Sequence, residues 1–184
     1  MYVLSVAVTS IDGYLTRHDG AGTSTWASPE DQTHFRAMLR SCDVSVMGGE
    51  TYRAGAEAIR ASVAAAVAAG TVVHRRVVWT RDSARYAGDS VAGALEFTSA
   101  PLPQVVAQLK SDGHRRCAVV GGGQVYGELL AADLVDEISL TIEPRLFGSG
   151  VRHSGEGFVM DRIFTLRSVE RLNADTVLLT YLRS

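Results

Sequence analysis

Ala118-Val119-Val120-Gly121-Gly122-Gly123-Gln124-Val125-Tyr126 is the stretch on which the fold of this chain is read. An apolar run that stops at three glycines and resumes with helix formers describes a buried strand turning directly into a helix. Glycine lets backbone N–H groups approach an anion, and a helix N-terminus adds positive potential, so the junction suits a phosphate. A tight turn without a ligand would have the same sequence. Val46-Met47-Gly48-Gly49-Glu50-Thr51 repeats the arrangement. Two phosphate-competent helix starts in one sheet point to a dinucleotide. The spacing of Gly121, Gly123 and Gly127 is one residue too long for the Rossmann fingerprint, and too little chain follows for paired nucleotide-binding halves.

Working outward, Tyr2 to Thr9 is apolar at nearly every position, as in a strand buried on both faces. Ser28-Pro29-Glu30-Asp31 is a helix start, with Ser as cap, Pro in the first turn and acids behind it, and Phe35, Met38 and Leu39 follow at helical spacing. Asp43 to Met47 reads as a strand, and Thr51 to Ala69 as a helix with nine alanines between Ala54 and Ala69. Val77 to Trp79, Pro103 to Lys110, Cys117 to Val120 and Gln124 to Ala132 continue the alternation as strand, helix, strand and helix. The pattern predicts an α/β domain with a mainly parallel central sheet flanked by helices. Glu137 to Ile142, Ile163 to Arg171 and Thr176 to Tyr181, the last two joined by Asn173-Ala174-Asp175, predict an antiparallel C-terminal edge.

The 184 residues suffice for a single domain, residues 1–184, burying roughly 70% of its unfolded surface. A hydrophobic fraction of 46% with 21% charged residues excludes a disordered chain. The net charge of −2, with no block of like charge, gives no field to collect nucleic acid. Charge-free runs such as Ala61 to Val73 fall short of the roughly 20 residues that cross a bilayer, and the N-terminus lacks a signal peptide's basic start. A cytoplasmic protein without membrane contact is expected. Cys42 and Cys117 read as buried thiols, the five histidines lack ligand spacing, and no metal is assigned.

The run Val120-Gly121-Gly122-Gly123-Gln124-Val125-Tyr126 resembles the signature of the dihydrofolate reductase-like fold, in which the first two glycines share a cis peptide bond against the cofactor pyrophosphate. Ser10-Ile11-Asp12-Gly13, and Leu134-Val135-Asp136-Glu137 followed by Pro144, Gly148 and Gly150, resemble the reductase domain of the bacterial bifunctional deaminase-reductase of riboflavin biosynthesis. The likeness runs from Val3 to the C-terminal hairpin and is that of a stand-alone relative of the domain.

The resemblance implies a reductase that transfers hydride from NADPH to a C=N-type bond of a pyrimidine or pteridine, and a homodimer. 5-Amino-6-(5-phosphoribosylamino)uracil is the leading substrate candidate and dihydrofolate or another pterin the alternative. A non-catalytic NADPH-binding regulatory protein is a third reading. Trp26, Pro29, Asp31 and Phe35 match the run that carries the dihydrofolate reductases' active-site carboxylate, which makes Asp31 the catalytic candidate. A carboxyl group shielded from water can hold and protonate a substrate nitrogen. The same acid at a helix start can be merely stabilising. The implied cofactor contacts are Val8, Gly48, Gly49, Thr51, Thr80, Arg81, Gly121, Gly122, Gly123, Gln124, Val125 and Tyr126. Val6, Trp26, Asp31 and Phe35 are the implied substrate contacts.

The departures are specific. Gly49 stands where the family places an arginine on the adenosine 2′-phosphate, and Arg81 is the residue positioned to replace it. Val6 and Gly121 stand where the riboflavin enzymes have a lysine and a glutamate. The folate-side arginine falls near His74 and Arg75.

Overall fold

The computed structural model describes residues 1–20 and 22–184. Its elements, in chain order, are β1 (Tyr2–Ser10), α1 (Pro29–Arg40), β2 (Val44–Gly48), α2 (Gly49–Ala68), β3 (Arg75–Trp79), β4 (Leu95–Thr98), α3 (Leu102–Ser111), β5 (Arg116–Val119), α4 (Gly123–Ala131), β6 (Glu137–Glu143), β7 (Phe164–Arg171) and β8 (Val177–Arg183). The strands form an eight-stranded sheet in the order β4-β3-β2-β5-β1-β6-β8-β7. Only β8 runs against the rest, pairing antiparallel with β6 on one side and β7 on the other. The mainly parallel sheet with an antiparallel edge is therefore the architecture the sequence predicts.

Side chains alternate across a strand, so each central strand supplies two cores. Val3 and Ala7 of β1 join Val44, Val46, Cys117 and Val119 against α3 and α4. On the opposite face, Leu4 and Val6 meet Phe35, Met38 and Leu39 of α1, while Met47 and Val78 pack beneath Tyr52 and Val63 of α2. Cys42 and Cys117 are free and buried. Among the described residues no helix is long and apolar enough to cross a membrane, and no cluster of His, Cys, Asp and Glu is arranged to hold a metal ion.

Two expectations need correction. β4 has no counterpart in the sequence reading: four residues are too few to establish a period, and it is held by pairing with β3 at Leu95 to Thr98. The Gly121–Gly122 peptide bond is trans, as are the others described. The turn from β5 into α4 is made instead by two successive positive φ angles, 147° at Gly121 and 91° at Gly122, which glycine adopts freely.

After β6 the chain doubles back over α4, and two of that helix's glycines are there for its passage. A Cβ on Gly123 would lie 2.6 Å from Val151, and one on Gly127 would collide with Phe158. This segment holds the half-buried His153, whose Nε2 is 3.3 Å from Ser5 Oγ and whose ring lies 4.7 Å from that of Tyr126. Burial without an acidic partner pushes the imidazole down to about 4. The unfolded chain therefore takes up this proton near pH 6.5 and the folded chain only near 4, so stability falls as pH drops through that window. For this one group the loss approaches roughly 3 kcal/mol. His153→Gln, which keeps a partner for Ser5 but cannot be protonated, should lose about 2–3 kcal/mol less than the parent between pH 7 and pH 4.5 in urea unfolding. Equal losses would show that His153 is not held neutral.

Candidate active site

α1 and β6 meet through polar side chains. Val6, Val8 and Ser10 of β1 pair in register with Ser139, Thr141 and Glu143 of β6, so all six side chains face α1. Ser28, Asp31 and His34 recur every three residues and line the helix side that receives them. His34 Nε2 lies 2.8 Å from Ser139 Oγ at one end of this seam, and the Ser28 backbone N–H donates to Glu143 Oε1 at 2.8 Å at the other. Ser28 Oγ accepts the N–H of Asp31 at 3.2 Å, the cap read from the sequence.

The middle of the seam is not closed in the same way. Asp31 is only 6% exposed, and its carboxyl group is shifted upward, first by burial and then by the charge of Glu143. Thr141 lies close enough to pull in the opposite direction, yet its buried hydroxyl completes no well-formed hydrogen bond. Trp26, immediately before α1, stands edge-on to Phe147 at 5.0 Å with its buried indole N–H unpartnered. Buried polar atoms left unmatched beside a carboxyl group are what a polar ligand or an ordered water satisfies. A cleft of about 390 Å³ opens alongside, lined by Ser24, Thr25, Trp26, Ser28, Glu143 and Arg145 among others.

The glycine-led helices lie at the C-terminal ends of neighbouring strands. Gly48 donates its N–H to the Gly121 carbonyl at 3.0 Å, and the caps of α2 and α4, Gly48 and Gly122, offer no side chain to the first helical N–H groups. A Cβ on Gly121 would approach Thr51 to 2.7 Å, and one on Gly49 would come within 3.1 Å of Thr80 Oγ1. Both openings are therefore packed so closely that only backbone is presented. Arg81 follows Thr80, is exposed, and makes no hydrogen bond or ion pair among the described residues.

The expected site residues thus separate by location. Val6 and Phe35 pack together on the α1 face of β1, Asp31 lies in the α1–β6 seam with Val8 paired to Thr141, and Trp26 stands against Phe147 at the adjoining cleft. Gly48, Gly49, Thr51, Thr80, Gly121 and Gly122 gather at the strand ends. Gln124 is exposed in the first turn of α4. Val125 is core, and Tyr126, also core, donates its hydroxyl to the Val6 carbonyl. Gly123 is enclosed by Val151 and Arg152. His74 and Arg75 are at the opposite end of the sheet, where His74 contacts the Cys42 carbonyl and Arg75 pairs with Glu96 and Asp112. The sequence reading missed Thr141 and Glu143. Their signal is period-two polarity, Ser139-Leu140-Thr141-Ile142-Glu143, in a strand central enough that both faces are covered.

Comparison with solved structures finds this architecture repeatedly. A putative riboflavin biosynthesis protein from Shewanella sp. PV-4 is 22% identical with a TM-score of 0.73, covering 100% of this chain and 99% of that one. A pyrimidine reductase-like protein from Corynebacterium diphtheriae is 17% identical with a TM-score of 0.76, covering 100% and 92%. The diaminohydroxyphosphoribosylaminopyrimidine deaminase/5-amino-6-(5-phosphoribosylamino)uracil reductase of Thermotoga maritima is 17% identical with a TM-score of 0.70. This chain spans 56% of that protein's length. No curated protein matches. The fold is the dihydrofolate reductase-like one. The family model described as the RibD C-terminal domain matches residues 1–178, and the chain belongs to that family.

Proposed function

We propose that the chain is an NADPH-dependent reductase acting on a C=N-type bond of a pyrimidine or pteridine, with 5-amino-6-(5-phosphoribosylamino)uracil as the leading candidate. The observation that carries this reading is the buried Asp31 carboxyl in the middle of the α1–β6 seam, set against a Thr141 hydroxyl that completes no well-formed hydrogen bond. The residues at the strand ends fit a dinucleotide. Two helix N-termini without side-chain caps begin beside glycines, Gly49 and Gly121, that pack against Thr80 and Thr51 with little room for a Cβ, and Arg81 follows Thr80 with its guanidinium unbonded among the described residues. The reduced nicotinamide supplies hydride when bound. Asp31 supplies the proton: its raised pKa keeps more of it in the acid form, from which it donates to the substrate nitrogen. Trp26 and Thr141 bond the polar edge of the ring, and Val6 and Phe35 form the apolar wall beneath it.

The dihydrofolate alternative loses its tail clamp, because Arg75 is engaged by Glu96 and Asp112 away from this seam. NADPH oxidation followed with the phosphoribosylaminouracil, dihydrofolate and a set of pterins tests the reading directly. Turnover of the first supports it, and tight NADPH binding with no turnover of any favours the regulatory alternative. The exposed outer strand β7, with Leu166 and Val169 turned to solvent, supports a second copy as partner.

Asp31→Asn should retain NADPH affinity and lose turnover roughly 100-fold or more. It should also be more thermally stable than the parent. The fold disfavours the ionised form of Asp31, a cost absent below the ordinary carboxylate range that grows as pH rises through the raised pKa. The gain in Tm should therefore be clear at pH 8 and shrink toward pH 4. Arg81→Ala should weaken NADPH binding roughly 10- to 100-fold, the effect of losing a charge-assisted bond, while leaving NADH unchanged. Titration of both cofactors into parent and variant measures this, and equal binding of the two by the parent would rule Arg81 out. Sedimentation at tens of micromolar, about the range where weak dimers form, should show a dimer; a monomer there counts against β7 as an interface.

A further inference from the structure

Glu143, the last residue of β6, carries a second carboxyl group into the same seam and is 3% exposed. One oxygen accepts the Ser28 backbone N–H at 2.8 Å, and the other accepts the Thr176 hydroxyl at 2.9 Å. Accepting at both oxygens and donating at neither is the bonding pattern of a carboxylate. Among the described residues no lysine, arginine or histidine forms an ion pair with Glu143 or Asp31. Arg145, two residues on, lines the adjoining cleft and donates its backbone N–H to the Glu143 carbonyl at 2.7 Å, but its guanidinium forms no ion pair with either carboxyl among the described residues. The groups facing Asp31 are Thr141 and Glu143 from β6 and the Tyr126 phenol from α4. His34, farther along α1, is turned to Ser139. Of these, Glu143 is the one that carries charge as bonded. Two buried carboxyl groups with no cation between them do not both ionise readily, and the one held by fixed donors keeps the negative charge.

We propose that Glu143 is a positioning residue of this site: pinned by Ser28 and Thr176, it fixes the cap that aims Asp31 and sets a second carboxyl group against the Asp31 carboxyl so that the proton is favoured there. The inference rests on the reductase reading and extends it by saying how the proton donor is kept loaded. In the step it serves, reduced nicotinamide, when bound, would supply hydride to the carbon of the C=N bond while Asp31 passes its proton to the nitrogen. The products are an amine and the oxidised cofactor, and Asp31 is left as a carboxylate that regains its proton from water. A carboxylate beside it makes that reprotonation more favourable. Thr176 belongs to the β7–β8 turn, whose Asn173 also reaches Glu30 of α1 at 3.1 Å, so the turn braces the donor helix at two points.

The test reads Asp31 itself. In protein labelled with ¹³C at aspartate carboxyls, the Asp31 resonance, identified by its loss in Asp31→Asn, should titrate above the ordinary carboxylate range. Glu143→Gln should lower the Asp31 midpoint by about 1 pH unit, a tenfold rise in its acid constant. Glu143→Asp, which retains the charge, should leave it raised. On a turned-over substrate, the fall of kcat at high pH should move to lower pH by the same amount in Glu143→Gln. An Asp31 midpoint within the ordinary carboxylate range in the parent overturns the proposal without any variant. So does an Asp31 midpoint unchanged in folded Glu143→Gln, or lowered equally by Glu143→Asp. A raised Asp31 midpoint that falls in Glu143→Gln and not in Glu143→Asp, in a protein that reduces none of the offered substrates, upholds the pair and sinks the reductase reading alone.

Discussion

The burial of polar groups between α1 and β6 is the constraint to which the rest of the molecule answers. Helices normally meet a sheet through apolar side chains, and a buried polar group left without a partner is costly. Here Ser28, Asp31 and His34 are set against Glu143, Thr141 and Ser139, so register matters as it does not for hydrocarbon. A one-residue slip of β6 would turn all three of its polar side chains to the other face and bring Leu140 and Ile142 under α1. The parallel pairing of β1 with β6 and the antiparallel insertion of β8 beside β6 hold that register from both sides.

The fold was legible because its strands and helices differ in period and are separated by glycine and proline at informative places. The Ser28 cap with Pro29 behind it and the glycines after β2 and β5 marked boundaries to within a residue or two. β4 was not legible, since Leu95 to Thr98 is a strand only through the neighbour it pairs with. Nor does sequence disclose which task a glycine performs. Gly121 turns a corner that no Cβ could share with Thr51, whereas Gly123 and Gly127 make room for the segment containing Val151 and Phe158.

Asp31 was legible through a four-residue pattern around it. Glu143 was not, because an acid ending a strand ordinarily points to water, and only the return of the chain to Thr176 encloses it. Likewise the role given to Arg81 depends on Gly49 lying against Thr80, a contact between segments far apart in the chain. Patterns along one element are readable; meetings between two elements are inferred from a family or seen in three dimensions.

The two ends of the site also differ in the span of chain each must close. β2, β3 and β4 follow one another in sequence and lie side by side, so the strands around Gly48, Gly49 and Thr80 assemble from nearby segments. The carboxyl end joins Ser28 to Glu143 across 115 positions and Glu30 to Asn173 across 143. Contacts of such separation carry a large loop-closure entropy and tend to form late. During folding, the strand ends at Gly48, Gly49 and Thr80 therefore belong to the early half of the sheet, and Glu143 is enclosed only when the turn between β7 and β8 brings Thr176 to it.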